Sequence, residues 1–245
     1  MARTRILGIG FDPITMDQAQ SRLASYVMHG HPHLVITANP EMVMRARGDQ
    51  LLTEILERAD LVVADGIGVV WASHVLKEAL PQRIPGIELA EGLLLQAAGQ
   101  GWTVFLVGAA EGVADQAALE LRRRWPGLEI VGTYHGYFQA GEEEQQIIGE
   151  IKAKKPDILL AALGVPRQEK WLAAHLGTLK VPVAIGVGGG FNVWAGVDKR
   201  APLWMRKINL EWLYRLIRQP WRIKRILVLP VFVFAVVFSR FRPGR

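Results

Sequence analysis

The chain has 245 residues, half of them apolar, which is enough for one substantial core and a smaller attachment. It contains no cysteine, which excludes a disulfide framework, a thiolate nucleophile and a cysteine-ligated zinc site, and agrees with a reducing, cytoplasmic setting. The net charge of +6 is unevenly placed: residues 199–245 hold 12 Lys and Arg against Glu211 alone, a net +11, whereas residues 1–198 hold 17 against 22 acids, a net −5. A basic segment on a mildly acidic body suits an anionic partner such as phospholipid, a lipid diphosphate or nucleic acid.

In chain order, Met1 to Pro13 shows two arginines and a short mixed segment, without the apolar run and cleavage site of a signal peptide, so export is not expected. Apolar runs then alternate with segments of helical period: Arg5–Gly10 before Met16–His29, His33–Ala38 before Glu41–Ala59, and Leu61–Ala64 before Gly68–Lys77. The rhythm continues with Trp102–Val107 before Glu111–Trp125, Glu129–Thr133 before Glu142–Lys154, Asp157–Leu163 before Pro166–His175, and Val181–Val187. This βαβα order predicts an α/β protein whose mainly parallel sheet is covered by helices on both faces. Near Ala195–Arg200 the rhythm gives way to a Trp-, Arg- and Lys-rich helical region, which divides the chain into residues 1–195 and a basic appendage, residues 196–245.

Ligands of a doubly wound sheet bind beyond the carboxyl ends of its strands, and those positions are unusually polar here. Asp65 closes Leu61–Ala64 and precedes Gly66-Ile67-Gly68; there it is either a catalytic carboxylate facing the crevice or the cap of the next helix. Thr37, Asn39 and Glu41 surround Pro40, a residue suited to a first helical turn, so Asn39 either caps that helix or hydrogen-bonds a sugar. The strand ends also bring Gly108 and Gln168, and the run Gly186-Val187-Gly188-Gly189-Gly190 lets a phosphate or sugar approach the backbone closely.

That run is neither a P-loop nor a dinucleotide fingerprint, and Gly8-Ile9-Gly10 fails too because Pro13 stands where a third glycine belongs, so no redox cofactor is expected. His29, His31 and His33 alternate around Gly30 and Pro32, a turn rather than a metal site, and no Asp-X-Asp pair occurs. In the tail, Arg215, Arg218, Arg222 and Arg225 fall on one helical stripe, with Pro220 inside it. Ile226 to Phe238 is an apolar run with Pro230 inside it and basic flanks; it falls short of the roughly 20 residues of a spanning helix, which points to shallow interfacial insertion. A C-terminal helix packed on the core is the rival reading.

Thr37-Ala38-Asn39-Pro40-Glu41, Ala64-Asp65-Gly66-Ile67-Gly68, Arg83-Ile84-Pro85-Gly86, Gly164-Val165-Pro166-Arg167-Gln168-Glu169, Gly186-Val187-Gly188-Gly189 and Lys199-Arg200-Ala201-Pro202, leading into Leu210–Leu216, together resemble the WecG/TagA/CpsF family of bacterial glycosyltransferases over nearly the whole chain. The resemblance implies a Rossmann-like catalytic domain and a C-terminal appendage that meets the inner face of the cell membrane and completes the site. It also implies inverting, metal-independent transfer from a UDP-sugar, typically UDP-N-acetylmannosamine or its uronic acid, to N-acetylglucosamine on undecaprenyl diphosphate; other members use glucose or glucuronic acid. By motif, Asp65 is similar to the family's general base, Thr37 and Asn39 to sugar-site residues, and Arg83 and Gln168 to polar groups around the transfer site. Arg215, Arg222 and Arg225 resemble the arginines that reach the diphosphate. Asn192 departs from the family pattern, which has Asp there. Two rival classes remain on sequence: a nucleic-acid binder stacking bases on Trp204, Trp212, Tyr214 and Trp221, and a membrane scaffold without chemistry.

Overall fold

A computed structural model describes residues 2–220, 223 and 227–240. A short antiparallel hairpin, β1 (Thr4–Ile6) and β2 (Ile9–Phe11), precedes α1 (Met16–His29). Then come β3 (His33–Ala38), α2 (Pro40–Ala46), α3 (Gln50–Arg58), β4 (Leu61–Ala64), α4 (Ile67–Val75), α5 (Gly86–Gln100) and β5 (Thr103–Gly108). The series continues with α6 (Val113–Arg124), β6 (Glu129–Tyr134), α7 (Glu142–Lys154), β7 (Ile158–Ala162), α8 (Arg167–Leu179), β8 (Val183–Gly186) and α9 (Gly190–Trp194). Three further helices close the described chain: α10 (Leu203–Lys207), α11 (Glu211–Arg218) and α12 (Val228–Arg240).

Strands β3 to β8 form one six-stranded sheet, all parallel, in the order β4-β3-β8-β7-β5-β6. Its strands are buried on both faces, which is why β4 (LVVA) and β7 (ILLAA) read as unbroken apolar runs instead of alternating. Successive residues serve opposite layers. Leu159 and Ala161 pack with α2, α3, α4, α7 and α8, while Ile158, Leu160 and Ala162 pack with α1, α5, α6 and α9. Each fully buried aliphatic side chain of these layers contributes about 1.5–3 kcal/mol. The connections that step toward the β4 edge run over the first layer; of those that step toward β6, α6 lies over the second, and the β4-to-β5 connection starts with α4 in the first layer before crossing in α5 over the second. The fold is therefore the expected Rossmann-like α/β arrangement.

Local chemistry explains the element ends. Thr15 and Gln18 form a reciprocal capping box on α1, and Gly30 ends that helix with φ 72°. Asp49 caps α3 and splits the expected helix Glu41–Ala59 into two. The segment Arg5–Gly10, expected as a strand of the main sheet, instead folds back on itself, with Gly8 at φ 93° in the turn.

The C-terminal helix is not detached from this body. In α12, Phe232 and Val236, one turn apart, are 1% and 0% exposed and pack with the layer that contains α2 and α4. The opposite side of the helix, with Val231, Phe234, Val237 and Phe238, remains exposed. At 13 residues, or about 20 Å, α12 is shorter than a hydrocarbon core, and among the described residues no helix is long and apolar enough to cross a membrane.

Candidate active site

The sheet order turns the scattered polar motifs into a row. From the β4 edge inward, the carboxyl ends present Asp65 after β4, Thr37 and Asn39 at the end of β3, the glycine run after β8, Gly164 and Gln168 after β7, and Gly108 at the end of β5. With strands about 4.8 Å apart, Asp65 and the glycine run after β8 stand roughly 10 Å from each other, with β3 between them. The connection leaving β3 passes to β4 through helices of the first layer, whereas the one leaving β4 crosses to β5 and ends in α5 of the second, so a topological switch point lies at the carboxyl ends of β3 and β4.

Asp65 is pinned through its backbone. Its N–H donates to the Ala38 carbonyl at 2.9 Å, continuing the β3–β4 ladder in which Ala38 faces Ala64. On the other flank the Ile84 N–H donates to the Ala64 carbonyl at 2.8 Å, bringing Arg83 alongside. Asp65 is half-buried. It does not cap α4: the N-cap is Gly66, with φ 114°, and no side chain makes the cap hydrogen bond. Gly68 lets α4 begin close to its neighbours, because a Cβ there would lie 2.9 Å from Pro40 Cγ and 3.9 Å from the Phe232 ring. The first turns of α2 and α4 thus start beside Asp65, and their free N–H groups favour negative charge in the crevice.

The neighbouring polar residues divide by what they already bond. Asn39 is the N-cap of α2, its Oδ1 accepting from Met42 N–H at 2.9 Å; its amide nitrogen makes no hydrogen bond among the described residues. Thr37 is half-buried, and its side chain lies against Gly86 at the start of α5, where a Cβ would approach Oγ1 to 2.6 Å. Arg83 donates to Asn209 Oδ1 at 3.3 Å and faces Glu211 at 3.7 Å. Glu211, the one acid of residues 199–245, also faces Arg200 at 3.6 Å, and Arg200 pairs with Glu88 of α5 at 2.8 Å. Arg206 reaches the same Glu88 at 3.4 Å. This network docks α10 and α11 onto the start of α5 and ties the tail to Arg83.

On the far side of β3, Gln168 is only 3% exposed. Its Oε1 accepts from the N–H groups of Gly164, at 3.2 Å, and Gly188, at 3.1 Å, joining the loops after β7 and β8. Gly186 has no side chain to obstruct it: a Cβ would stand 2.4 Å from Gln168 Nε2. Glu169, which the sequence reading left without a role, accepts from Gln168 Nε2 at 2.8 Å and is 2% exposed. Its other oxygen is buried with no hydrogen-bond partner among the described residues, and burial pushes its carboxyl up from 4.5 to about 7. Gly108, at φ 141°, allows the ends of β5 and β7 to close, since a Cβ would meet the Ala162 backbone at 2.5 Å. Gly188 is half-buried and Gly189 exposed. Asn192, in α9, uses its backbone carbonyl to accept from Asp198 N–H at 2.9 Å.

Among the basic residues expected to reach a diphosphate, Arg222, Arg225 and the side chain of Arg215 lie outside the described residues, as does Trp221. The histidines do not converge: His29 ends α1, whereas His33 opens β3 and stacks on Tyr26 at 3.8 Å. No group of three His, Asp or Glu that could hold a metal ion occurs among the described residues.

Comparison with known proteins fits this layout. Residues 4–245 match the model of the glycosyl transferase WecG/TagA/CpsF family. An N-acetylglucosaminyldiphosphoundecaprenol N-acetyl-beta-D-mannosaminyltransferase from Staphylococcus aureus (strain MW2) is 38% identical over 241 residues, covering 98% of this chain and 94% of the relative. Proteins of the same description from strains NCTC 8325 / PS 47 and MRSA252 are 38% identical over the same span. A match that runs from the first strand through the basic tail places the chain in a single lineage: it belongs to the WecG/TagA/CpsF family of glycosyl transferases.

Proposed function

We propose that the chain transfers N-acetylmannosamine from a UDP-sugar to N-acetylglucosamine carried on undecaprenyl diphosphate, with Asp65 as general base. The observation that carries this reading is the placement of Asp65: half-buried at the carboxyl end of β4, and fixed by backbone bonds between β3 and the Arg83–Ile84 segment. In the step proposed, Asp65 takes the proton of the acceptor hydroxyl as that oxygen bonds to the anomeric carbon. The bond from that carbon to the UDP oxygen breaks on the opposite face, and UDP leaves with the electron pair, inverting the configuration. Thr37 and the free amide of Asn39 are suited to sugar hydroxyls or the acetamido group, and the Gly188 and Gly189 backbone to the diphosphate. Charge growing on the leaving group is met by tail arginines and by the helix N-termini at the crevice. The experiment is a screen of UDP-sugars against a short-chain prenyl-diphosphate-linked N-acetylglucosamine, with product mass as the readout. Product heavier by one N-acetylhexosamine from UDP-N-acetylmannosamine is expected. No product from any UDP-sugar, with the protein folded, refutes the reading.

The same proposal assigns residues 196–245 to a membrane-facing appendage on the cytoplasmic side. What supports it is the face of α12 left over after Phe232 and Val236 are buried: contiguous apolar side chains, among them Phe234 at 75% exposed and Phe238 at 66%, in a segment of strongly basic sequence. Phe234→Glu combined with Val231→Glu is expected to cut sedimentation with anionic phosphatidylglycerol vesicles at least about tenfold, since two apolar anchors are lost and two like charges gained, while the thermal midpoint barely changes because both side chains are more than half exposed. Undiminished sedimentation would locate lipid contact elsewhere.

A further inference from the structure

Gln168 holds two loops together, and it does so only with its amide facing one way. A side-chain amide has a donor end and an acceptor end of nearly the same shape. The N–H groups of Gly164 and Gly188 both require the acceptor end, Oε1. Nothing in those two bonds supplies a partner for Nε2, which sits in the interior at a residue 3% exposed. Glu169 supplies it: Oε1 of Glu169 accepts from Nε2 at 2.8 Å, also inside the protein. With the carboxyl in place, the flipped amide would set oxygen against oxygen on one side and N–H against two N–H groups on the other. Leaving one buried donor unpaired costs about 1–3 kcal/mol, enough to hold the orientation.

We propose that Glu169 is a positioning residue, whose buried carboxyl orients Gln168 so that Gln168 clamps the loop after β7 to the glycine run after β8 and sets the spacing of the donor pocket. Its assignment to that pocket rests on the UDP-sugar reading above; the clamp itself does not. Neither residue needs to touch substrate. Gly186 serves the same device, because any Cβ there would occupy the place of Gln168 Nε2.

The experiment compares Glu169→Leu, Gln168→Glu, Gly186→Ala and the double exchange Gln168→Glu/Glu169→Gln in the full-length chain. Three readouts are taken: amide hydrogen exchange at Gly164 and Gly188, UDP affinity by calorimetry, and the split of donor KM from kcat. Glu169→Leu removes the acceptor, Gln168→Glu faces one carboxyl with another, and Gly186→Ala displaces the amide. Each is expected to speed exchange at both glycines and to weaken UDP binding by about tenfold, through KM more than kcat, as the loss of one buried hydrogen bond dictates. The double exchange restores one donor against one acceptor with their order reversed, keeps an acceptor for both glycine N–H groups, and is expected to recover most of the loss. A merely structural role would not produce that recovery. Should Glu169→Leu fail to fold, Gln168→Glu against the double exchange decides alone. Native-like exchange in Glu169→Leu, or a double exchange no better than Gln168→Glu, overturns the proposal. A native chain that binds no UDP refutes the donor reading instead, while exchange at Gly164 and Gly188 still tests the clamp.

Discussion

Asp65→Asn is expected to reduce turnover by about 10²- to 10⁴-fold, the usual contribution of a positioned general base, with UDP binding close to that of the native chain. The substitution changes one oxygen to an amide nitrogen and keeps the shape of the side chain. The Asp65 N–H still donates to the Ala38 carbonyl, and α4 loses no cap because Gly66 holds that position without a side-chain bond. What disappears is the lone pair that takes the acceptor proton, so the loss falls on kcat and on kcat/KM alike and not on donor affinity. Measured on the prenyl-linked acceptor with rapid quench, a variant that turns over at the native rate would remove Asp65 from the chemistry. A variant that loses UDP affinity in the same proportion would recast it as a binding residue.

The row of site residues was legible because each lies just past an apolar run, and in a parallel sheet all such positions share one end. Five of the six strands of that sheet were expected within a few residues of where they lie, since burial on both faces leaves continuous apolar stretches bounded by polar ones. Strand β6 was found in the same way, although it lies at the sheet edge and is only partly buried. The hairpin at the start was not legible as one: Arg5–Gly10 has strand composition, and the reversal shows only in the backbone, where Leu7 and Gly8 both take positive φ. Helix α5 escaped notice although Ile87, Leu89, Ala90, Leu93, Leu94 and Ala97 recur at helical spacing, because Gly92, Leu95, Ala98 and Gly99 on its less buried side dilute the polar stripe that marks an amphipathic helix.

Side-chain destinations were harder to read than backbone. Asp65 and Asn39 were both ambiguous between cap and ligand contact, and the two resolve in different ways: Asn39 is the N-cap of α2, whereas the N-cap of α4 is Gly66, one residue beyond Asp65. Gln168 was expected beside the transfer site, but the first turn of α8 tucks it inward, where its bonds go to two glycine N–H groups and a carboxylate. Glu169 had no signal at all. An acid in the first turn of a helix is the ordinary response to the helix dipole, and its burial depends on loops that arrive from β7 and β8. The tail shows the same limit. Ile226 to Phe238 is apolar on every side, so its sequence does not say which face meets the protein; Phe232 and Val236 are selected by the groove that α2 and α4 offer.

The burial of Glu169 also has a consequence for stability that is independent of catalysis. Its carboxyl is raised by desolvation to about 7 in the folded chain from an ordinary 4.5, so the folded state holds the proton more tightly than the unfolded state. The associated stabilisation is fully present below about pH 4.5 and is lost as pH rises through about 7. A difference of about 2.5 pH units corresponds to about 3 kcal/mol, a large share of the net stability of a domain this size. Glu169→Gln cannot ionise, yet its carbonyl still accepts from Gln168 Nε2. Urea unfolding of the two proteins is therefore expected to give curves that differ little at pH 4.5 and diverge by about 3 kcal/mol in favour of the variant by pH 9. The other charged or ion-paired side chains of α8, Arg167, Lys170 paired with Asp49 and His175 with Glu144, are the same in both proteins and cancel in the difference. A difference that stays flat across this range would mean that Glu169 ionises as readily inside the protein as outside it, and that water or a counter-charge reaches its second oxygen.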